Sequence, residues 1–134
     1  MTRRCNDERG SITAFVAVIA TALVMVAGMA YDGGQVMSAH NAARNDAAQA
    51  ARAGAQQIDL THLRETNEPR LDPAKAESAA QAYLAQSGAT GTVAVSDASV
   101  SVTVTRVQAL RILPGADRTI VVTETATAVE EAQG

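Results

Sequence analysis

Proton transfer or metal binding would fall to His40 and His62, the two histidines of this 134-residue chain. They stand 22 residues apart, with neither a cysteine pair nor paired carboxylates beside them, so the ligand spacing of a zinc site is missing. Nucleophilic chemistry would need a base beside Ser11, Ser38, Ser78 or Ser87, and no histidine lies in useful sequence context with any of them. Asp32-Gly33-Gly34 follows an apolar run rather than a strand, and it lacks the later glycine and the Lys-Ser/Thr pair of a phosphate loop. Glu65 and Glu68 lie in a polar stretch where solvation accounts for them, and Asp72 and Glu77 have local explanations in a helix start. No catalytic set, metal or cofactor is expected, and no small-molecule substrate is evident. A membrane-tethered enzyme would need a convergent polar pocket built from residues 59–134.

The residues specify position more clearly than chemistry. From 12 to 31 the chain carries no charge and no proline. As a helix that stretch spans about 30 Å, the thickness of a bilayer's hydrocarbon core. Thr13 and Thr21 can return their hydroxyls to the helix backbone, and Gly28 is tolerated in a membrane helix. Arg3, Arg4 and Arg9 precede the run, and no basic residue follows it until Arg44. This bias predicts a cytoplasmic N-terminus and an external segment 32–134. The single cysteine, Cys5, precedes the run and reads as a passenger. A removed secretory signal is the competing reading, because Gly28 and Ala30 present small residues before a cut ahead of Tyr31. The apolar stretch is longer, however, than the usual signal core of about 7–15 residues.

Aromatic residues make up 2% of the chain, and its one Phe, Phe15, sits inside the apolar run. The remainder can therefore build only a thin core of Val, Ile, Leu and Ala. Residues 32–134 carry eight basic and twelve acidic groups without a basic cluster, which excludes nucleic acid as a natural partner.

Residues 35–58 are rich in alanine, glutamine and arginine, which favour helix. Val36, Ala39, Ala43, Ala47, Ala50, Gly54 and Ile58 recur at three- and four-residue steps, and Ala43, Ala47, Ala51 and Ala55 form an overlapping row. Small side chains let backbones approach closely, so Ala39, Ala43, Ala47, Ala51, Gly54 and Ala55 are expected to pack laterally on a partner. His40, Arg44 and Arg52 read as a solvated stripe. Asp32 is expected either solvated or capping a second helix, so a straight and a bent helix over residues 12–58 both remain open.

Residues 61–72 are polar and form a linker. Asp72 before Pro73 matches an N-cap with proline at the first helical position, and Gly88 suits the end of the helix that follows. The period then changes to two. Residues 92–95, then 100–105 with Val100, Val102 and Val104 alternating, predict a hairpin, and residues 118–129 a further strand. Arg106-Val107 breaks the alternation and predicts a bulge or strand end. Ala109 to Pro114 is a short apolar piece between strands, and the polar tail 130–134 is expected to fray.

Arg9-Gly10-Ser11, the apolar helix, Gly28, Asp32-Gly33-Gly34 and Ala51-Arg52-Ala53-Gly54-Ala55, in that order, resemble the N-terminal region of TadE/TadG-like proteins of Flp, or tight-adherence, pilus assembly. The resemblance is closest to short actinobacterial members and covers residues 9–58. It implies a non-enzymatic single-pass membrane protein acting in pilus or secretion-apparatus assembly. Its partners would be the membrane and other pilus-assembly or pilin-like proteins, met through the small-residue face. Some relatives resemble prepilins cut after a glycine, here between Gly10 and Ser11, which would make the chain a minor pilin-like subunit. That pattern has a glutamate at the fifth mature position, where this chain has Phe15. A secreted envelope-binding protein cut after Ala30 is the other alternative.

The expected fold is α+β: a long N-terminal transmembrane or pilin-like helix followed by a small helix and an antiparallel β-sheet domain. Its parts are a basic segment or leader 1–11, a transmembrane helix 12–31, an external Ala-rich helix 32–60, a linker 61–72, a small α+β domain 73–129 and a tail 130–134.

Overall fold

A computed structural model describes residues 7–112, 115 and 117–128. Arg3, Arg4, Cys5 and the tail 130–134, with what was expected of them, lie outside those residues.

Helix α1, Asp7–Ala55, runs 49 residues without interruption, or roughly 73 Å. Of the straight and bent alternatives, the helix continues through Asp32-Gly33-Gly34. A methyl group at Gly33 or Gly34 would meet nothing within 4 Å, so neither glycine serves a close approach there. Strong helix formers on both sides carry the backbone across them. From residue 10 to 27 the helix is bare: Ile12, Phe15, Val18, Leu23, Val24 and Met25 are all exposed. Over its second half one face is buried.

A two-turn helix, α2 (Leu60–Thr66), occupies the segment expected as linker. Asp59 caps it by accepting from the backbone N–H of Thr61 and His62, and Asn67 ends it at φ 58°. The returning chain forms a short ladder in which Asp59 N–H donates to Arg70 O and Asp72 N–H to Gln57 O. Leu71, almost fully buried, sits in that ladder opposite Ile58. Helix α3, Pro73–Ser87, starts at the Asp72 cap and stops at Gly88, whose φ of 69° suits a residue without a Cβ.

Strands β1 (Thr90–Val95), β2 (Ser99–Gln108) and β3 (Arg118–Thr127) form one antiparallel sheet in the order β1-β2-β3. Val100, Val102 and Val104 point inward and are fully buried, with Ile120 and Val122 beside them on β3. Outward hydroxyls pair across the strands, Ser101 with Thr125 and Thr103 with Thr123, each at 2.8 Å. The predicted break at Arg106-Val107 does not occur. Register continues through Arg106 opposite Ile120 to Gln108 opposite Arg118. Arg106 takes the next inward position because Asp46 of α1 meets it there at 2.6 Å.

The core lies between the second half of α1, helix α3 and the inner face of the sheet. Ala43, Ala47, Ala50, Ala51, Ala76 and Ala80 are fully buried, and Leu71 and Leu84 nearly so. A Cβ on Gly54 would stand 2.9 Å from the carbonyl oxygen of Ala76 and 3.1 Å from a methyl of Val100. The absent side chain lets α3 and β2 close on α1. The architecture is thus α+β, with a long apolar N-terminal helix, small helices and a three-stranded sheet.

Candidate functional site

The face of α1 that enters the core continues toward the N-terminus, and there it carries the β2–β3 loop. Asp32 follows the apolar run directly and is only 4% exposed. Its Oδ1 accepts from the backbone N–H of Arg111 at 3.3 Å, and its Oδ2 from that of Ile112 at 3.1 Å. One turn earlier, the Ile112 side chain covers Gly28 so closely that a Cβ there would stand 3.0 Å from Ile112 Cγ2. This corrects the expectation of a solvated or helix-capping Asp32. The carboxylate replaces, for two loop amides, the partners that a loop ordinarily finds in water.

Two ion pairs hold the sheet along the same helix. Asp46 pairs with Arg106 on β2, and Arg44 pairs with Glu124 on β3 at 2.8 Å. Arg44 is therefore not merely part of a solvated stripe. An apolar groove of about 490 Å³ separates helix from hairpin, lined by Met29, Val36, Met37, Leu110 and Ile120 among others.

The small-residue face lies inside the molecule. Ala43, Ala47, Ala51, Gly54 and Ala55 are buried under the chain's own α3 and sheet, with Ala39 half-buried at the margin. Packing on a partner through this face was the expectation; in the structure the face makes its close approach within the chain. Of the residues considered for processing, Gly10 and Ser11 are exposed on the helix, Gly28 is buried under Ile112, and Ala30 and Tyr31 are exposed.

Chemistry-bearing side chains do not converge. His40 is exposed and His62 half-buried, and among the described residues no group of three or more His, Cys, Asp or Glu is placed to hold a metal ion. A larger groove of about 570 Å³ gathers Arg52, Gln56, Thr125 and Thr127, a cation with amide and hydroxyl groups and no base in its lining. At the start of α3, Lys75 holds the Asp72 carboxyl below its ordinary range by hydrogen bonds from its side chain and backbone N–H. Asp72 raises Lys75 in turn, chiefly through the side-chain hydrogen bond.

The sequence reading missed the Asp32 latch. The signals present were a lone carboxylate closing an apolar run and an apolar loop between strands. Nothing local ties positions 79 and 80 residues apart.

The fold defines a stalk-and-head protein, with an α+β head packed on the distal half of one helix whose free half is long and apolar enough to cross a bilayer. Residues 10–57 match the family model described as "Putative Flp pilus-assembly TadE/G-like", so the stalk and the helix face beneath the head are similar to that family. Helices α2 and α3 and the sheet lie beyond the matched stretch. No curated protein and no solved structure matches the chain.

Proposed function

We propose that the protein is a non-enzymatic, single-pass membrane component of Flp/Tad pilus or secretion-apparatus assembly, with residues 1–11 cytoplasmic and the head outside. The observation that carries this reading is the unbroken α1. Residues 10–27 expose their apolar side chains on every side, and the second half of the helix is part of the head's core. Water would strongly disfavour so large an apolar surface, whereas a bilayer solvates it. Supporting the outward head are the arginines before the run and the absence of basic residues from 32 to 43. The family match supplies the assembly context.

Two features weigh against the alternatives. A cut after Ala30 would remove Gly28, on which the head's own loop rests, so the secreted form would lose part of its packing. A cut after Gly10 leaves the stalk whole, but Phe15 stands where the prepilin pattern has its glutamate. An assembly accessory is therefore favoured over a filament subunit.

The test is the N-terminus and intact mass of the natively expressed protein, taken from carbonate-washed membranes and from the medium. Met1 or Thr2 in the membrane pellet supports the anchored accessory. Ser11 moves the protein to the minor-pilin class, and Tyr31 in the medium overturns the anchored reading.

A further inference from the structure

The β2–β3 hairpin lies along α1 and points toward the N-terminus. Near one end Val100 touches Gly54, and beyond the other end Ile112 touches Gly28. These helix positions are about 39 Å apart, and a ten-residue strand such as β2 covers about 33 Å, so strand and loop together bring the tip down to Gly28. Gly28 belongs to the last turn of the apolar run. The head therefore does not stop at the membrane boundary but reaches it with a loop.

That loop has the chemistry of a bilayer interface. Ile112 packs one side on Gly28 and leaves 52% of its surface open. Leu110 borders the apolar groove with Met29 and Met37. Arg111, between Leu110 and Ile112, and Arg118, the first residue of β3, are exposed, with Asp117 the acid next to Arg118. Asp32, the carboxylate at this level of the helix, is turned toward the loop's backbone amides.

We propose that this loop is a second membrane contact, placing Ile112 and Leu110 in the interfacial layer of the outer leaflet while Arg111 and Arg118 reach lipid phosphates. The proposal rests on the membrane-spanning reading of α1. Its occupant is a phospholipid surface because the loop continues laterally from the surface that the apolar run already presents to lipid, and because an arginine set between two apolar residues, with a second at the start of β3, suits the boundary of acyl chain and phosphate. Held at two points, the head would be fixed in tilt and rotation over the membrane.

The chain has no tryptophan, so single-tryptophan variants report without further engineering. Full-length Ile112→Trp, Leu110→Trp, Val24→Trp and Val121→Trp would be reconstituted in phosphatidylethanolamine–phosphatidylglycerol vesicles. Each would be quenched by lipids brominated near the headgroup or deep in the chain, and by aqueous iodide. Tryptophan at 112 and 110 is expected to be quenched by shallow bromines and shielded from iodide several-fold relative to 121, on the outer sheet face. Two loop positions guard against one variant disturbing the fold. Iodide access at both loop positions, with Val24→Trp quenched by deep bromines, overturns the proposal and leaves the anchor standing. Shielding from both quenchers means that protein covers the loop, and also overturns it. Failure of bromolipid to reach Trp at 24 overturns the anchor and this proposal together.

Discussion

Asp32 illustrates how one carboxylate organises two elements. Its two oxygens satisfy consecutive loop amides, and the loop in turn seats Ile112 on Gly28. Asp32→Ala would leave both N–H groups without that acceptor, at a cost of about 1–3 kcal/mol. The loop should release before the head unfolds. Amide exchange would show faster loss at Arg111 and Ile112 than in β2, and equal loss across the sheet would refute the local latch. Asp72 gives a pH prediction. Its folded-state pKa lies below the ordinary value, so its contribution is complete above about pH 4 and is lost as pH falls through the lowered value. Acid titration followed by NMR should show the first turn of α3 fraying on this side alone, and Asp72→Asn should flatten that dependence.

At the scale of elements, the continuity of α1 through Asp32-Gly33-Gly34 is the main outcome. Gly33 and Gly34 sit in helical backbone with open space around their missing side chains. Replacing each with alanine should stabilise the helix by about 0.5–1 kcal/mol, since the substitution removes freedom only from the unfolded chain. Slower amide exchange through residues 30–38 in micelles would register the gain, whereas a loss would mean that the glycines serve a bend. The hairpin is held to α1 by Asp46–Arg106 as well as by apolar packing. The inward arginine explains why the valine alternation ends at Val104 while the strand does not.

For the whole molecule, the small-residue face decides whether head and stalk are separate parts. Ala47 is fully buried within the chain, so Ala47→Leu is expected to overpack the core, costing about 1–3 kcal/mol and lowering the melting temperature of the head. If this face served a partner instead, the head would melt unchanged and only co-purification would suffer. With α1 forming both the stalk and one wall of the core, any tilt of the helix would carry the head with it.

Alone, the sequence determined what local chemistry can determine. The uncharged run marks a helix long and apolar enough to cross a membrane. Asp72-Pro73 and Gly88 bracket α3, and the alternating valines make β2, because caps and periodicity act within a few residues. The small-residue face was also legible as a close-approach surface, but its occupant was not. A helix stripe of alanines fits any backbone, and only the chain's return through α3 and the sheet placed one there. The same holds for Arg106, Glu124 and Asp32. Each is a charge whose partner lies 60 residues or more away in the chain, so tertiary packing alone turned it from a solvated group into a fastening.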